Sequence, residues 1–249
     1  MIGTLRARLR HGTRSTPFPP EGPALPPGFR GLPLLDAARC PADCRACAAA
    51  CPTGAIAAAG APSLDLGRCL FCPACVEACP EGALTFTRDH RLAASSREGL
   101  ALAPAERPRV EALGREMRRL FGRSLKLRQV SAGGCNGCEA ELNALSNVVF
   151  DLGRFGIQFV ASPRHADGLV VTGPVPHAMA SALHGTWEAL PEPRLLVLVG
   201  ACALSGGVFE GSPAVSGVPR DLPVHLAVPG CPPHPLTLLD GLLGMLGRL

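Results

Sequence analysis

The chain has 249 residues, of which 47% are hydrophobic and 18% are charged, a composition typical of a folded chain and not of an intrinsically disordered one. A net charge of only +4, a single Trp and no Tyr argue against single-stranded nucleic-acid binding, because bases stack on aromatic side chains. No apolar run reaches the ~18 residues of a membrane-spanning helix, and the basic N-terminus lacks the apolar centre of a secretory signal, so we expect a cytoplasmic protein.

The first half of the chain divides into three segments by composition. Residues 1–33 contain "PFPPEGPALPPGFRG", which is too rich in Pro and Gly to bury a core and predicts an extended arm, either free or lying on a partner subunit. Residues 34–88 hold eight cysteines in two similar runs, and residues 89–125 hold none. In this third segment, a linker with a helix, four apolar residues are spaced as one helix face: Val110, Leu113, Met117 and Leu120.

Twelve cysteines in a reducing compartment indicate metal binding and not disulfides. The run Cys69-x2-Cys72-x2-Cys75-x3-Cys79-Pro has the bacterial ferredoxin spacing, and the run Cys40-x3-Cys44-x2-Cys47-x3-Cys51-Pro differs by one extra residue. In two-cluster ferredoxins the fourth cysteine of each run binds the other cluster, so we predict two [4Fe–4S] clusters in a ferredoxin-like α+β domain. Set A, for the first cluster, is Cys40, Cys44, Cys47 and Cys79. Set B, for the second, is Cys51, Cys69, Cys72 and Cys75. The alternative is a pair of zinc sites.

Residues 126–249 alternate short strand-like runs with helix-like runs. The strand-like runs are "LKLRQV", "IQFVAS", "GLVVTGPV", "RLLVLVG" and "VHLAVPG", and the helix-like runs include "AELNALSNVVFDLGRF" and "PHAMASALHGTWEAL". This alternation predicts an α/β domain with a doubly wound, flavodoxin-like parallel sheet covered by helices on both faces. We expect the last helix, "HPLTLLDGLLGMLGRL", to pack on the sheet, and contact of its leucines with a membrane surface is the alternative.

The cysteines that remain form one further group of four, set C: Cys135, Cys138, Cys202 and Cys231. Each lies just after a predicted strand, and the carboxyl ends of parallel strands converge on one edge of an open sheet, where such folds place their sites. Glycines, which permit close approach of the backbone to a bulky group, accompany them: Gly133, Gly134, Gly137, Gly200 and Gly230. We therefore predict a third [4Fe–4S] cluster on set C, with a structural zinc or four unrelated thiols as alternatives.

The motifs "CNGCEAEL", "VVTGPV", "GACALSGGVF" and "VPGCPPHP" resemble the cluster-bearing small subunit shared by energy-converting, group 4 [NiFe] hydrogenases and respiratory complex I, over about residues 126–240. The separation of Cys135 from Cys138 follows the hydrogenase branch of that family, whereas the complex I branch has adjacent cysteines. Glu141 matches an acidic position of the family motif and is a candidate cofactor-binding residue, or else a charge in the first helical turn. The N-terminal part resembles the two-cluster subunit of the same assemblies, so two subunits that are normally separate are fused here.

The resemblance implies an electron-transfer subunit of a membrane-associated [NiFe] hydrogenase complex of the formate hydrogenlyase type. Its three [4Fe–4S] clusters would relay electrons to or from a NiFe large subunit, with the chain held peripherally at the inner membrane by membrane subunits. A formate dehydrogenase or a ferredoxin-type protein is the implied electron donor. The alternatives are a subunit of a complex I-like NADH/quinone oxidoreductase and, from another class of protein, a zinc-bound structural protein.

Overall fold

A computed structural model describes residues 2–12, 15–18, 25–41, 43–57 and 63–249. The N-terminal half forms short elements, listed here in chain order: α1 (Ile2–His11), β1 (Pro33–Leu35), α2 (Ala46–Ala50), β2 (Ile56–Ala57), β3 (Ser63–Asp65), α3 (Ala74–Glu77), β4 (Leu84–Phe86), β5 (Ala101–Leu102) and α4 (Arg115–Phe121). Strands β1 and β4 form one antiparallel pair, and β2, β3 and β5 form an antiparallel sheet of three strands. The cysteine-rich segment therefore contains two short helices and contributes to two small antiparallel sheets, the second of which takes β5 from the linker segment.

The C-terminal half alternates strands and helices, in chain order: β6 (Leu125–Ser131), α5 (Gly137–Ala144), β7 (Ile157–Phe159), β8 (Gly168–Thr172), α6 (His177–Glu188), β9 (Leu195–Val199), α7 (Ala201–Ser205), β10 (Leu226–Val228) and α8 (Pro235–Met245). The five strands are parallel and lie in the order β10-β9-β8-β6-β7. Counted from β6, this is the flavodoxin-like order 2-1-3-4-5, with the switch point between β6 and β8. The predicted parallel α/β sheet is confirmed.

Helices cover both faces of this sheet. Every residue of β8 and β9 is buried, as expected for strands enclosed on both sides. Leu183 and Trp187 of α6 belong to the core on one face, whereas Leu238 and Leu242 of α8 belong to the core on the other. Because α8 is buried along most of its length, the prediction that it packs on the sheet is confirmed. Within the described ranges, no helix combines the length and the apolar character needed to span a bilayer.

The cysteine-rich segment and the sheet share one core. Leu66, Phe71 and Leu100 are buried in the same hydrophobic cluster as Leu169 and Leu198 of the sheet. Polar contacts cross the boundary between the cysteine-rich segment and the sheet, which we call the seam. The Arg97 guanidinium donates to both Asp65 oxygens at 2.8 and 2.7 Å and to the Leu204 carbonyl at 2.9 Å. Ala94 and Ala227 also exchange backbone hydrogen bonds of 3.0 and 2.8 Å. The segments predicted as separate domains are thus joined by packing and by hydrogen bonds.

The linker helix differs from its prediction. Val110, Leu113 and Met117 pack on the core, whereas Leu120, which has the spacing of the same helix face, is 53% exposed. Helix α4 begins only at Arg115, because the Leu113 amide donates to the Met245 carbonyl at 2.8 Å instead of to a preceding turn. Tertiary packing against the end of α8 therefore replaces the first predicted helical turn.

The predicted extended arm contains a helix. Residues Ile2–His11 form α1, where Leu, Arg and Ala favour a helix and no proline interrupts it. Residues 15–18 belong to no helix or strand, and residues 19–24 of the stretch "PFPPEGPALPPGFRG" lie outside the described residues. The helix-like run after Cys138 also ends early, at Ala144.

Candidate metal centres

The four thiols of set C lie together beyond the carboxyl ends of β6, β9 and β10. Burial, followed by the charges of Glu139 and of the other three cysteines of the set, raises the pKa of the Cys138 thiol to about 12. The pKa of Cys202 is also raised, first by burial and then by Cys231 and Cys135. Residues 135 and 231 are thus brought together across nearly a hundred positions of sequence at the sheet edge that contains the switch point.

Glycines leave the space that the set C sulfurs occupy. A Cβ atom added to Gly200 would lie 2.5 Å from the Cys138 Sγ, and one added to Gly207 would lie 3.0 Å from the Cys202 Sγ. Gly200 has φ +88° and ψ 156°, a backbone conformation that is essentially restricted to glycine. A pocket of four thiols bordered by backbone without side chains fits a bulky iron–sulfur group, because the backbone can approach it closely.

Glu139, which the sequence patterns did not single out, is the acidic residue buried at set C. Its carboxylate accepts hydrogen bonds from the Ser131 hydroxyl, at 2.6 Å, and from the Thr172 hydroxyl. Burial raises the pKa of Glu139, but these hydrogen bonds outweigh burial and hold it below its ordinary value. An ionised carboxylate therefore lies beside the thiols. The sequence features that could have indicated a role for Glu139 are its position directly after Cys138 and the hydroxyl residues that end β6 and β8.

Glu141, the predicted cofactor-binding residue, is the fifth residue of α5 and is half-buried. Burial raises the pKa of its carboxyl group. The first turn of α5 contains Glu139, so the alternative of a charge in the first helical turn describes Glu139 and not Glu141. A cofactor role for Glu141 stays a prediction.

The thiols of set A also lie together. The pKa of Cys47 is raised first by burial and then by the charges of the other three cysteines of the set, Cys40, Cys79 and Cys44. Cys79 differs, because burial raises its pKa but the surrounding backbone amides lower it below the ordinary value. One of these amides, that of Ala83, donates to the Cys79 Sγ at 3.2 Å. Cys40 is thus close to Cys47 despite the extra residue in its run.

Set B is gathered in the same way. Burial, followed by the charges of Cys75, Cys51 and Cys72, raises the pKa of Cys69 to about 12. The pKa of Cys75 rises to about 11, again chiefly through burial. The Ala55 amide donates to the Cys51 Sγ at 3.2 Å, and the Phe71 amide donates to the Cys69 Sγ at 3.3 Å. Set B therefore offers four neighbouring sulfurs, two of which accept hydrogen bonds from the backbone.

The internal repeat is also a structural repeat. In "CPTGA" and in "CPEGA" the cysteine sulfur accepts a hydrogen bond of 3.2 Å from the amide four residues later. The glycine of each turn has a positive φ, +60° at Gly54 and +55° at Gly82. The cysteine of each turn, Cys51 or Cys79, belongs to the set whose other three cysteines come from the other run. The same local geometry therefore presents both of these cysteines to the other run.

Sets B and C are neighbours in the structure. The pKa of Cys231 is raised by burial, by Cys135 of its own set and by Cys72 of set B. Among the described residues, no three His, Cys, Asp or Glu side chains are arranged to hold one metal ion. A [4Fe–4S] cluster does not require such an arrangement, because its four cysteines bind the irons of a cluster and not a single ion.

The comparisons with known proteins concern mainly the C-terminal half. A profile of the family described as "NADH ubiquinone oxidoreductase, 20 Kd subunit" matches residues 135–245. The probable membrane-bound hydrogenase subunit mbhJ of Pyrococcus furiosus is 39% identical over 146 residues, which are 58% of this chain and 87% of that protein.

Two further relatives are similar over less of their own length. Formate hydrogenlyase subunit 7 of Escherichia coli is 44% identical over 51% of this chain and 50% of its own. A subunit of the NADH-quinone oxidoreductase of Citrifermentans bemidjiense is 44% identical over 45% of this chain and 66% of its own. The predicted resemblance of the C-terminal half to hydrogenase and complex I small subunits is therefore confirmed, whereas the fusion with a two-cluster subunit stays a prediction. On these matches, the chain belongs to the 20 kDa subunit family of NADH ubiquinone oxidoreductase.

Proposed function

We propose that this chain is an electron-transfer subunit of a membrane-associated [NiFe] hydrogenase complex and that sets A, B and C each hold one [4Fe–4S] cluster. The observation that carries this proposal is the gathering of all twelve cysteines into the three groups of four that their spacing predicts. A bound [4Fe–4S] cluster supplies one-electron storage and transfer, with a potential set by net charge, hydrogen bonds to sulfur and exposure to solvent.

The residues of this chain would set those potentials differently at the three sites. Backbone amides donate to the sulfurs of Cys79, Cys51 and Cys69 in sets A and B, and such hydrogen bonds raise a cluster's potential. At set C, the buried Glu139 carboxylate adds a negative charge beside Cys138, which favours the oxidised state.

The placement of the three sets supports a linear relay. Set A takes Cys79 from the second cysteine run, and set B takes Cys51 from the first. Both sets lie around the packed helices α2 and α3. Set B is beside set C through Cys72 and Cys231. We place set B between the other two, with set A at the donor side and set C toward the partner. Because every cysteine belongs to a set, we assign the NiFe centre to a separate large subunit.

The hydrogenase assignment and the partners rest on the relatives. The Pyrococcus and Escherichia proteins are named as hydrogenase and hydrogenlyase subunits, and this chain has the Cys135-Asn-Gly-Cys138 pair of the hydrogenase branch. The proposed partners are therefore a NiFe large subunit and membrane subunits that hold the chain peripherally at the membrane. The donor would be a formate dehydrogenase or a ferredoxin-type protein.

Purification under anaerobic conditions tests the cluster assignment. We expect brown protein with about twelve iron atoms and equivalent sulfide per chain. Cys231→Ser should remove about four irons, and Cys44→Ser should remove a different four, with separate losses in the EPR spectrum. A colourless protein that contains zinc, or a Cys231→Ser variant that retains all its iron, would refute the proposal.

A role in a complex I-like enzyme is the second candidate function, favoured by the 44% identity to a subunit of NADH-quinone oxidoreductase. The two functions predict different partner chemistry. An assembly purified through this chain should contain nickel and exchange hydrogen if the hydrogenase proposal holds. An assembly that lacks nickel and reduces a quinone would establish the alternative.

A further inference from the structure

Helix α1 is a basic amphipathic helix with an uncovered apolar face. Its residues Ile2, Leu5 and Leu9 are 72%, 60% and 85% exposed. At 3.6 residues per turn, these three side chains fall within about 60° of one another on the helix surface. Arg6 and Arg8 flank this sector on its two sides. The apolar stripe is therefore bordered by positive charge, and no acidic residue occurs in α1.

The segment that follows α1 is fastened to the body of the protein. The Thr16 amide donates to the Val149 carbonyl at 2.8 Å, and the Ser15 hydroxyl donates to Asp151 at 3.2 Å. The Phe18 ring packs edge-on against Phe155 at 5.9 Å between centroids. Attachment of α1 to a surface would therefore hold the sheet domain, and with it set C, close to that surface.

We propose that α1 lies in the surface of a bilayer that contains anionic phospholipids, with its apolar stripe among the acyl chains and its arginines at the phosphates. A narrow apolar stripe flanked by arginines, on a helix whose other residues are Arg, His, Thr, Ala and Gly, fits the pattern of interfacial helices. Each arginine near an anionic surface favours binding electrostatically. A protein groove would cover the stripe equally well, but it would not by itself require arginines on both sides. This inference rests on the proposed membrane association and gives the chain its own lipid contact.

Binding of the intact, iron-loaded chain to vesicles tests this proposal. We expect sedimentation with phosphatidylglycerol-containing vesicles, weaker binding to phosphatidylcholine vesicles, and release by salt because surface charges are screened. Replacing Arg6, Arg8 and Arg10 by Gln should weaken binding about a hundredfold. Leu5→Gln with Leu9→Gln, which keeps the charge, should weaken it at least tenfold.

Leu120→Gln is the matched control, because Leu120 is an exposed leucine on another arginine-rich helix, α4, and its loss should leave binding unchanged. Binding that is equal for neutral and anionic vesicles, or unaffected by the leucine pair, would overturn the proposal. So would a wild-type chain that ignores vesicles but loses its partner subunits when Leu5 and Leu9 are replaced. Iron content, measured in the same samples, reports on the proposed clusters independently of lipid binding.

Discussion

Replacement of Gly200 by alanine is the sharpest local test of the third thiol group. The new Cβ would lie 2.5 Å from the Cys138 Sγ, whereas non-bonded heavy atoms are normally separated by about 3.5–4.0 Å. The sulfur would have to move by about 1 Å. The backbone would also carry strain, because φ +88° with ψ 156° costs a residue other than glycine about 1–3 kcal/mol. Overpacking adds about 1–3 kcal/mol, so we expect a total destabilisation of roughly 2–6 kcal/mol.

The measurements are anaerobic thermal unfolding, iron content and EPR. At this chain length, each kcal/mol lowers Tm by about 2–4 °C. We expect Gly200→Ala to lose about four irons and the set C signal, while sets A and B keep their spectra. Gly211→Ala is the matched control, since Gly211 has φ +77° but an added Cβ meets no atom of the described residues within 4 Å. It should cost about 1–2 kcal/mol and keep all the iron. The reasoning is refuted if the two variants have the same iron content and the same Tm.

Two further predictions concern charges away from the thiols. Burial raises the pKa of Asp240 to about 6, with Arg91 opposing and Asp89 adding to the shift. Because the unfolded carboxyl titrates near 3.8, stability falls as pH rises from about 4 to 6, by up to about 3 kcal/mol. Asp240→Asn should therefore gain Tm over wild type at pH 8 and about half as much at pH 5, and an equal difference at both pH values would contradict this. Arg97→Ala, which removes the contacts with Asp65 and Leu204, should cost about 1–3 kcal/mol in unfolding experiments. Arg107→Ala removes the ion pair between the exposed Arg107 and Asp89, a carboxylate that Arg91 still binds, and should cost less than about 1 kcal/mol. Comparable losses in the two variants would show that the seam contributes little.

The parallel sheet could be predicted from sequence because its physical signal is local. Runs such as "LLVLV" are apolar at every position, which is typical of a strand that helices cover on both faces. Once the strands are known, the position of each set C cysteine at a strand end follows, since parallel strands end at one edge. The proximity of Cys135 to Cys231 was therefore predictable without any knowledge of the loops.

The features that sequence reasoning missed depend on contacts between distant segments. Helix α4 begins later than its apolar spacing predicts because the Leu113 amide is bonded to the end of α8. The hydrogen bonds that distinguish Glu139 form only in the folded chain, where β6 and β8 bring Ser131 and Thr172 to its carboxylate. A carboxylate next to a cysteine has no periodic signature, and the hydroxyl groups that hold it lie on different strands.

The shared core bears directly on the proposed relay. If the cysteine-rich segment were a separate domain on a flexible linker, the separation of Cys72 from Cys231 would fluctuate with the motion of the domains. Here Phe71, which precedes Cys72, is buried in the same cluster as the sheet residues Leu169 and Leu198. Close-packed interiors resist displacement, so the seam holds sets B and C at a fixed separation. A common core would thus keep these two cysteine sets close together within one chain.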